Sequence, residues 1–415
     1  VDRVELGVAL VVFGGLLVGA VVAVGLAVGS SSSHAAGTVE TDVVVGHQTG
    51  SVVQYGPNGT VRWADATATG YFDVTPLADG AVLAAFFRDG DPRCGPYDAP
   101  CARTGFRVVG PDGPEPGTEW SVPVRTATNS EVHDAEVLPG GDVVVADMDS
   151  ETLRRVDPAT GTVRWRWNAS DRYDPPADPT RTDWLHTNDV DRIGDRRYLV
   201  SVRNANQLLV VAEGRGVVDV VNEAGSPALF AHQHNPQWLG EDRLLVADSG
   251  NDRVVELARR GDEWHVVWAL GSAEGVAFDW PRDADRLPTG ETLITDSRNN
   301  RVLLVNDSGH TLARWRTRNL PYEADVVPGG EPVGGPSASA QTAPESTDPD
   351  AVPVLTTIEQ SARHVVPLPG WVTEAHVLGV LVGVAMALLG GTLLLHVRLF
   401  PGGRHGQGWV GRRGW

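Results

Sequence analysis

The strongest constraint on this chain is a pattern that recurs. The fragment HDAEVLPGGDVVVADMDSETLRRVD begins at His133, HTNDVDRIGDRRYLVSVRNANQLLVV at His186, HNPQWLGEDRLLVADSGNDRVVEL at His234 and RDADRLPTGETLITDSRNNRVLLV at Arg282. Weaker copies begin at Tyr71 and Tyr322. Their spacing of about 40 to 60 residues is close to the period of a four-stranded propeller blade. Each copy reads as a short strand, a Gly-containing turn, an apolar strand ending in an Asp-Ser-like corner, and an Arg-Val-x-x-Val strand. Runs of Val, Ile, Leu and Trp broken by Gly, Asp and Asn are hairpin chemistry.

Six copies supply six inner strands. Residues 41–65 supply three more strands (DVVVGH, SVVQYG, TVRWAD) with no inner strand of their own, and the copy at Tyr322 has an inner strand with nothing after it. The two halves complete one blade, and closing the ring protects its edges. The expected fold is therefore all-β, a six-bladed β-propeller over 38–328. A seventh blade would require residues 352–367 to pair as well. Residues 329–370 form a Pro/Ser/Gly-rich linker expected to pack no core.

Two apolar segments flank this domain. Residues 6–29 carry no charge and are long enough to cross a hydrocarbon core of roughly 30 Å, so 1–30 reads as a retained anchor, with a cleaved signal peptide as the competing reading. The second span lies within 371–397, and the tail 398–415 carries Arg398, Arg404, Arg412 and Arg413, which places that side in the cytoplasm and the propeller outside. Cys94 and Cys101 are the only cysteines and share the short loop CGPYDAPC, so a loop disulfide is expected in an oxidising compartment. The 34 basic residues are all arginine, against 53 acidic ones, for a formal charge of -19. That balance excludes nucleic acid as a partner and matches the lysine-poor acidic proteins of salt-loving archaea.

In a propeller the inner strands face a central channel, so equivalent repeat positions converge there. Aligned on Asp147, Asp248 and Asp296, the copies place His133, His234 and Arg282 at one position, with His186 one residue out of step and Tyr71 and Tyr322 in the weaker copies. Arg203, Arg253 and Arg301 follow the corner of successive blades, where an arginine commonly ties the corner to a carboxylate. Imidazoles and guanidiniums gathered in a channel make an anion site suited to sulfate or phosphate esters, and imidazole can act as nucleophile, acid or base. A metal held by His186, His232 and His234 is disfavoured, because the arginines would oppose a cation.

The run Trp184-Leu185-His186-Thr187-Asn188-Asp189-Val190 leading to Ser201-Val202-Arg203, and Gln233-His234-Asn235 leading to Asp248-Ser249-Gly250-Asn251-Asp252-Arg253, resemble the arylsulfate sulfotransferase family. The resemblance covers roughly 132–327. It implies a six-bladed propeller that moves a sulfuryl group from an aryl sulfate ester to a phenolic acceptor without a cofactor. It also implies roles for His186 and His234 on the sulfuryl oxygens and for Arg253 on the transferring group; beside these three positions, the channel reading makes His133 a further catalytic candidate and Asn188, Arg203 and Arg282 substrate-binding candidates. The family's nucleophilic histidine comes from a later blade, and here Arg282 stands in its place. The other expectation, from a different class, is a non-catalytic cell-envelope propeller that binds an anionic ligand or scaffolds partners.

Overall fold

The computed structural model describes residues 39–330 apart from 116, 125–129 and 179–181, then 333–338 and 374–399, with five isolated positions between Val8 and Gly15. Six sheets follow one another around a ring. Blade 1 runs Gly70–Pro76, Val82–Asp91, Cys101–Gly110 and two outer pieces, Gly113–Pro114 and Trp120–Val124. Blade 2 is Val132–Val137, Val143–Asp147, Thr152–Asp157 and Thr162–Asn168; blade 3 is Thr187–Gly194, Arg197–Val202, Gln207–Ala212 and Gly216–Val221. Blade 4 is His234–Gly240, Arg243–Asp248, Arg253–Arg260 and Glu263–Leu270; blade 5 is Pro281–Arg286, Thr292–Asp296, Arg301–Val305 and Thr311–Arg316. Blade 6 joins the two ends of the domain. Its inner strand Pro321–Val327 pairs with Asp42–His47, and Val52–Tyr55 and Val61–Asp65 complete it.

Why the second strands are continuously apolar follows from the packing. Successive side chains on a strand point to opposite faces, and both faces of each blade are covered by a neighbour. In Val143–Asp147, Val143 and Val145 pack with Leu83 and Phe106 of blade 1, whereas Val144 and Ala146 pack with Val190 and Val200 of blade 3. Further clusters fill the junctions of blades 3 with 4, 4 with 5, 5 with 6, and 6 with 1. The closing junction is as well filled as the rest: Val44 and Val52 meet Val82, Ala84 and Phe86. Trp315, fully buried, also donates from Nε1 to the Gly56 carbonyl at 2.9 Å, tying blade 5 to blade 6.

The turn after the inner strand shows why glycine recurs there. Gly80, Gly141 and Gly290 have φ of 88°, 88° and 104°, and each donates its N–H back to a leucine carbonyl, Leu77, Leu138 and Leu287. A side chain would strain that conformation.

Two expectations change. Residues 333–338 of the expected linker lie on the propeller: the Gly334 N–H reaches the Trp238 carbonyl at 2.7 Å, the Ala338 N–H reaches Glu256 at 2.8 Å, and Ala338 packs on the core between blades 4 and 5. Backbone donors meeting fixed acceptors hold this stretch where composition alone suggested a free tether. The carboxy-terminal helix is Glu374–Leu399, beginning three residues and ending two residues later than the expected 371–397, and within it Gly379–Val397 is apolar and long enough to cross a membrane. The expected amino-terminal span falls outside the described residues apart from the isolated positions, as do the seventh-blade segment 352–367 and the arginine tail beyond Leu399, whereas Arg398 lies in the helix. Cys94 and Cys101 form a disulfide, with Cα atoms 5.6 Å apart, at the tip of the longest hairpin.

Candidate functional site

Inner-strand registers define which residues are equivalent. Asp73, Asp134, Asp189, Asp283 and Glu323 occupy one position, which Asn235 shares when counted back from Gln237, paired with Leu245 as Glu136 is with Val144 across a bulge, and the residue before each is Phe72, His133, Asn188, Arg282, Tyr322 and, in blade 4, His234. The channel residue of blade 1 is therefore Phe72. Tyr71, expected there, turns into the core between blades 6 and 1 and hydrogen-bonds Asp65.

Around the channel these side chains meet. His133 stacks on His186 with centroids 5.0 Å apart and on Tyr322 at 5.5 Å, and meets Phe72 edge-on at 5.1 Å. His234 meets Tyr322 edge-on at 5.7 Å, and the Arg282 guanidinium lies 4.8 Å from the same ring. Tyr322, 2% exposed, is the hub. Both ring nitrogens of His133, the Tyr322 hydroxyl, and Nε and Nη1 of Arg282 are buried without a protein partner. Buried polar groups are nearly always paired, so five such atoms in one cluster mark a place shaped for something polar.

His186 is not the counterpart of His133 and His234. It stands three residues before its channel acid, as His232, Trp280 and Leu320 do, and all four have φ between 46° and 56°. Left-handed backbone at bulky residues costs of order 1–3 kcal/mol each and clusters at functional sites. Sequence alignment had His186 one residue out of step because this blade begins two residues earlier; Asn188 occupies its ring position. Asn188 is fully buried and donates to the Gln233 carbonyl at 2.9 Å, which commits it to the junction with blade 4.

The arginines separate in the same way. Val202 pairs with Gln207 as Asp248 pairs with Arg253 and Asp296 with Arg301, so Arg203 is equivalent to Ser249 and Ser297 rather than to Arg253. Arg253 holds Asp248 at 2.6 Å and the carbonyls of Ala228 and Leu229, and Arg301 holds Asp296 at 2.7 Å. Both lock blade corners. The expected catalytic placement of Arg253 is thus not what its contacts show: with the corner aspartate and two carbonyls in reach, its guanidinium is spent there. Arg203, with no corner aspartate in its own blade, reaches His186 at 2.7 Å and lies 5.7 Å from the Trp280 ring.

Protonation follows from the hydrogen bonds. The Ser249 hydroxyl donates to the Pro281 carbonyl at 2.5 Å, so it can only accept from His234 Nδ1 at 2.8 Å; the His232 carbonyl, 3.1 Å from the same nitrogen, also only accepts. Nδ1 of His234 therefore carries the proton and Nε2 presents a lone pair. Burial, reinforced by Arg282, Arg203 and the neighbouring histidines, pushes His234 well below the ordinary histidine range. Burial does the same to His133, helped by His186 and the two arginines, and lowers His186 less steeply because Asp183 opposes the shift. Nδ1 of His186 can donate to Asp183 at 2.5 Å or accept from Arg203, one at a time. Burial lowers Arg282 to about 10, which leaves it charged at neutral pH.

Sequence reasoning missed Phe72, Ser249 and Trp280, and it missed a second layer. One residue beyond the imidazole ring stand Asp73, Asp134, Asp189, Asp283 and Glu323, and two residues beyond those stand Glu136, Asp191, Asp285 and Asp325. The signal was present, since an acid or amide follows the first residue in four of the six copies, those begun by His133, His234, Arg282 and Tyr322.

No protein-family model matches the sequence, and no curated protein does. Among solved structures, a Bacteroides caccae protein of unknown function aligns over 70% of this chain and 100% of its own, with 14% identity and a TM-score of 0.51. The likeness shows the propeller fold alone. Two other propellers align more loosely: the periplasmic gluconolactonase of Pseudomonas aeruginosa, at 14% identity over 69% of this chain and 99% of its own with a TM-score of 0.39, and virginiamycin B lyase of Staphylococcus aureus, at 12% identity over 61% and 73% with a TM-score of 0.37.

Proposed function

We propose that the chain is a sulfotransferase-like enzyme that moves a sulfuryl group from an aryl sulfate ester to a phenolic acceptor within the channel. The observation that carries this reading is His234, a neutral imidazole with its Nδ1 proton fixed by Ser249 and its Nε2 free, set against Arg282, Tyr322 and His133. Arg282 and Arg203 supply the charge that an anionic ester needs, and Phe72, Tyr322 and Trp280 supply aromatic walls for its ring. Arg282 replaces the family's nucleophilic histidine, and His234 takes that role here. Nε2 attacks sulfur, the ester S–O bond breaks toward the aryl oxide, and the aryl oxide takes a proton from water. The sulfurylated imidazolium, still donating from Nδ1, then passes the group to the acceptor oxygen while the phenolic proton moves to the neutral His133 and on to water. Arg282 lies beside the sulfuryl oxygens in both transfers.

The apolar helix Glu374–Leu399 is the anchor in this reading, with the arginine tail cytoplasmic and the disulfide-bearing propeller outside the cell. The full chain in detergent, incubated with a chromogenic aryl sulfate and a phenol, tests the reaction. Phenol release that disappears in His234→Ala and survives in Arg253→Ala is the expected result. Release by the wild type no greater than that of His234→Ala overturns it. Binding of the ester without turnover would instead support an anion-binding propeller.

A further inference from the structure

The acidic layer has its own logic, set by how each blade greets the next. Asp73 accepts the backbone N–H of Ala135 at 3.2 Å, Asp134 that of Val190 at 2.5 Å, Asp283 that of Ala324 at 3.0 Å and Glu323 that of Val74 at 3.5 Å. In all four cases the donor is the residue just after the acid of the following blade. Four junctions thus satisfy a buried carboxylate with one repeated backbone bond.

At the junction of blades 3 and 4 the rule fails for a covalent reason. The residue after Asn235 is Pro236, which has no N–H. Asp189, only 3% exposed, is left without the donor its counterparts have, and its Oδ2 is buried with no partner. Asn235 turns its amide away to Glu323 at 2.8 Å. Asp189 lines a cavity of about 40 Å3 that is also bordered by Asp73, Asp134, Glu136, Asp191 and Glu323, with no arginine or histidine on its wall. That space suffices for a few water molecules. Burial and mutual repulsion push the Asp73, Asp189 and Glu323 carboxyls well above the usual range.

We propose that this cavity binds a hydrated divalent cation of the Mg2+ type, held directly by Asp189 and through its water by the surrounding carboxylates. An unpaired buried carboxylate costs several kcal/mol unless it takes up a proton, and where the backbone cannot serve Asp189 a cation satisfies it in its ionised form together with its acidic neighbours. The ion keeps most of its water for a structural reason: among the described residues no three acidic or histidine side chains are gathered to ligate a metal. Mg2+ dehydrates reluctantly and is commonly held by one or two carboxylates, whereas Ca2+ demands six to eight direct oxygens. The site is separate from the imidazole cluster, and sulfuryl chemistry does not enter the argument.

Isothermal titration of the full chain in detergent with MgCl2, at ionic strength held constant with NaCl, tests it. Wild type is expected to show saturable binding, weakened at least about tenfold in Asp189→Asn. Pro236→Ala restores a backbone donor to Asp189 and is expected to weaken Mg2+ binding with the charge intact. It also decides the question if Asp189→Asn does not fold. Asp262→Asn, on an exposed turn, is expected to bind as wild type does. Absence of saturable Mg2+ binding in wild type, or binding in Asp189→Asn and Pro236→Ala as tight as in wild type, overturns the site; tighter binding of Ca2+ than Mg2+ overturns its hydrated character. No arm uses turnover, so an inactive channel and an empty cation site give different results.

Discussion

Replacing Ser249 with alanine tests the argument that fixes the His234 tautomer. Its hydroxyl is fully buried, donates to the Pro281 carbonyl at 2.5 Å and accepts from His234 Nδ1 at 2.8 Å. Alanine strands the carbonyl, while the imidazole keeps the His232 carbonyl at 3.1 Å, so one buried group is orphaned outright. That costs about 1–3 kcal/mol. At roughly 2–4 °C per kcal/mol for a large domain, the melting temperature should fall by about 2–12 °C. Ser297 is the internal control: it holds the equivalent place in blade 5, and its Oγ is buried without a partner, so Ser297→Ala should cost less than about 0.5 kcal/mol. Nitrogen NMR on histidine-labelled protein, with His234 assigned by its alanine variant, reads the tautomer directly. Wild type should show a neutral imidazole protonated at Nδ1 at pH 7, and Ser249→Ala should show that preference relaxed. A wild-type His234 protonated at Nε2, or at both nitrogens, refutes the reasoning, as does a Ser297→Ala cost equal to that of Ser249→Ala.

Other perturbations have definite outcomes. Arg301→Ala should destabilise by about 3–5 kcal/mol in a thermal melt, because it leaves the buried Asp296 without its cation, and Arg253→Ala should cost less since Arg253 is more exposed. Replacing Cys94 and Cys101 with serine frees a loop with a sequence separation of 7 and should lower stability by about 2–3 kcal/mol, measured by denaturant unfolding. Burial raises Asp134 and Asp283 to about 7 and Glu136 to about 8, so the folded chain holds protons there that the unfolded chain releases. Their contribution to stability is complete below the unfolded carboxylate range and is lost as pH rises through the folded values. The buried histidines act with the opposite sign, contributing above their unfolded value of 6.5 and losing it as pH falls below that. Between pH 7.5 and 9 the buried histidines are neutral in both states and the carboxylates dominate, so the melting temperature should fall as pH rises; a rise across that window contradicts the assignment.

Much of the architecture was legible because propeller packing writes itself into the chain locally. A strand covered on both faces must be apolar up to its corner, as VVVA before Asp147 is, and a turn that needs positive φ favours glycine, as at Gly80, Gly141 and Gly290. Ring closure was legible too, since three strands at one end and a lone inner strand at the other can be satisfied only by each other. Convergence of His133, His234 and Arg282 followed from the repeat register alone.

What only the tertiary structure decided lies in small offsets between blades. A strand slipped by one residue turns its side chains to the other face, and so Phe72 rather than Tyr71 enters the channel. The blade begun by His186 starts two residues earlier, so Asn188 takes the ring position, and its corner lacks the aspartate that holds Arg253 in its own blade, so Arg203 reaches the imidazoles. The proton on His234 depends on a serine fifteen residues away and a carbonyl from the next blade, which no local pattern encodes. The orphaned Asp189 depends on Pro236 being the residue that faces it. Repetition determines which residues come near the axis; the paired backbones determine which of them are left with something still to bind.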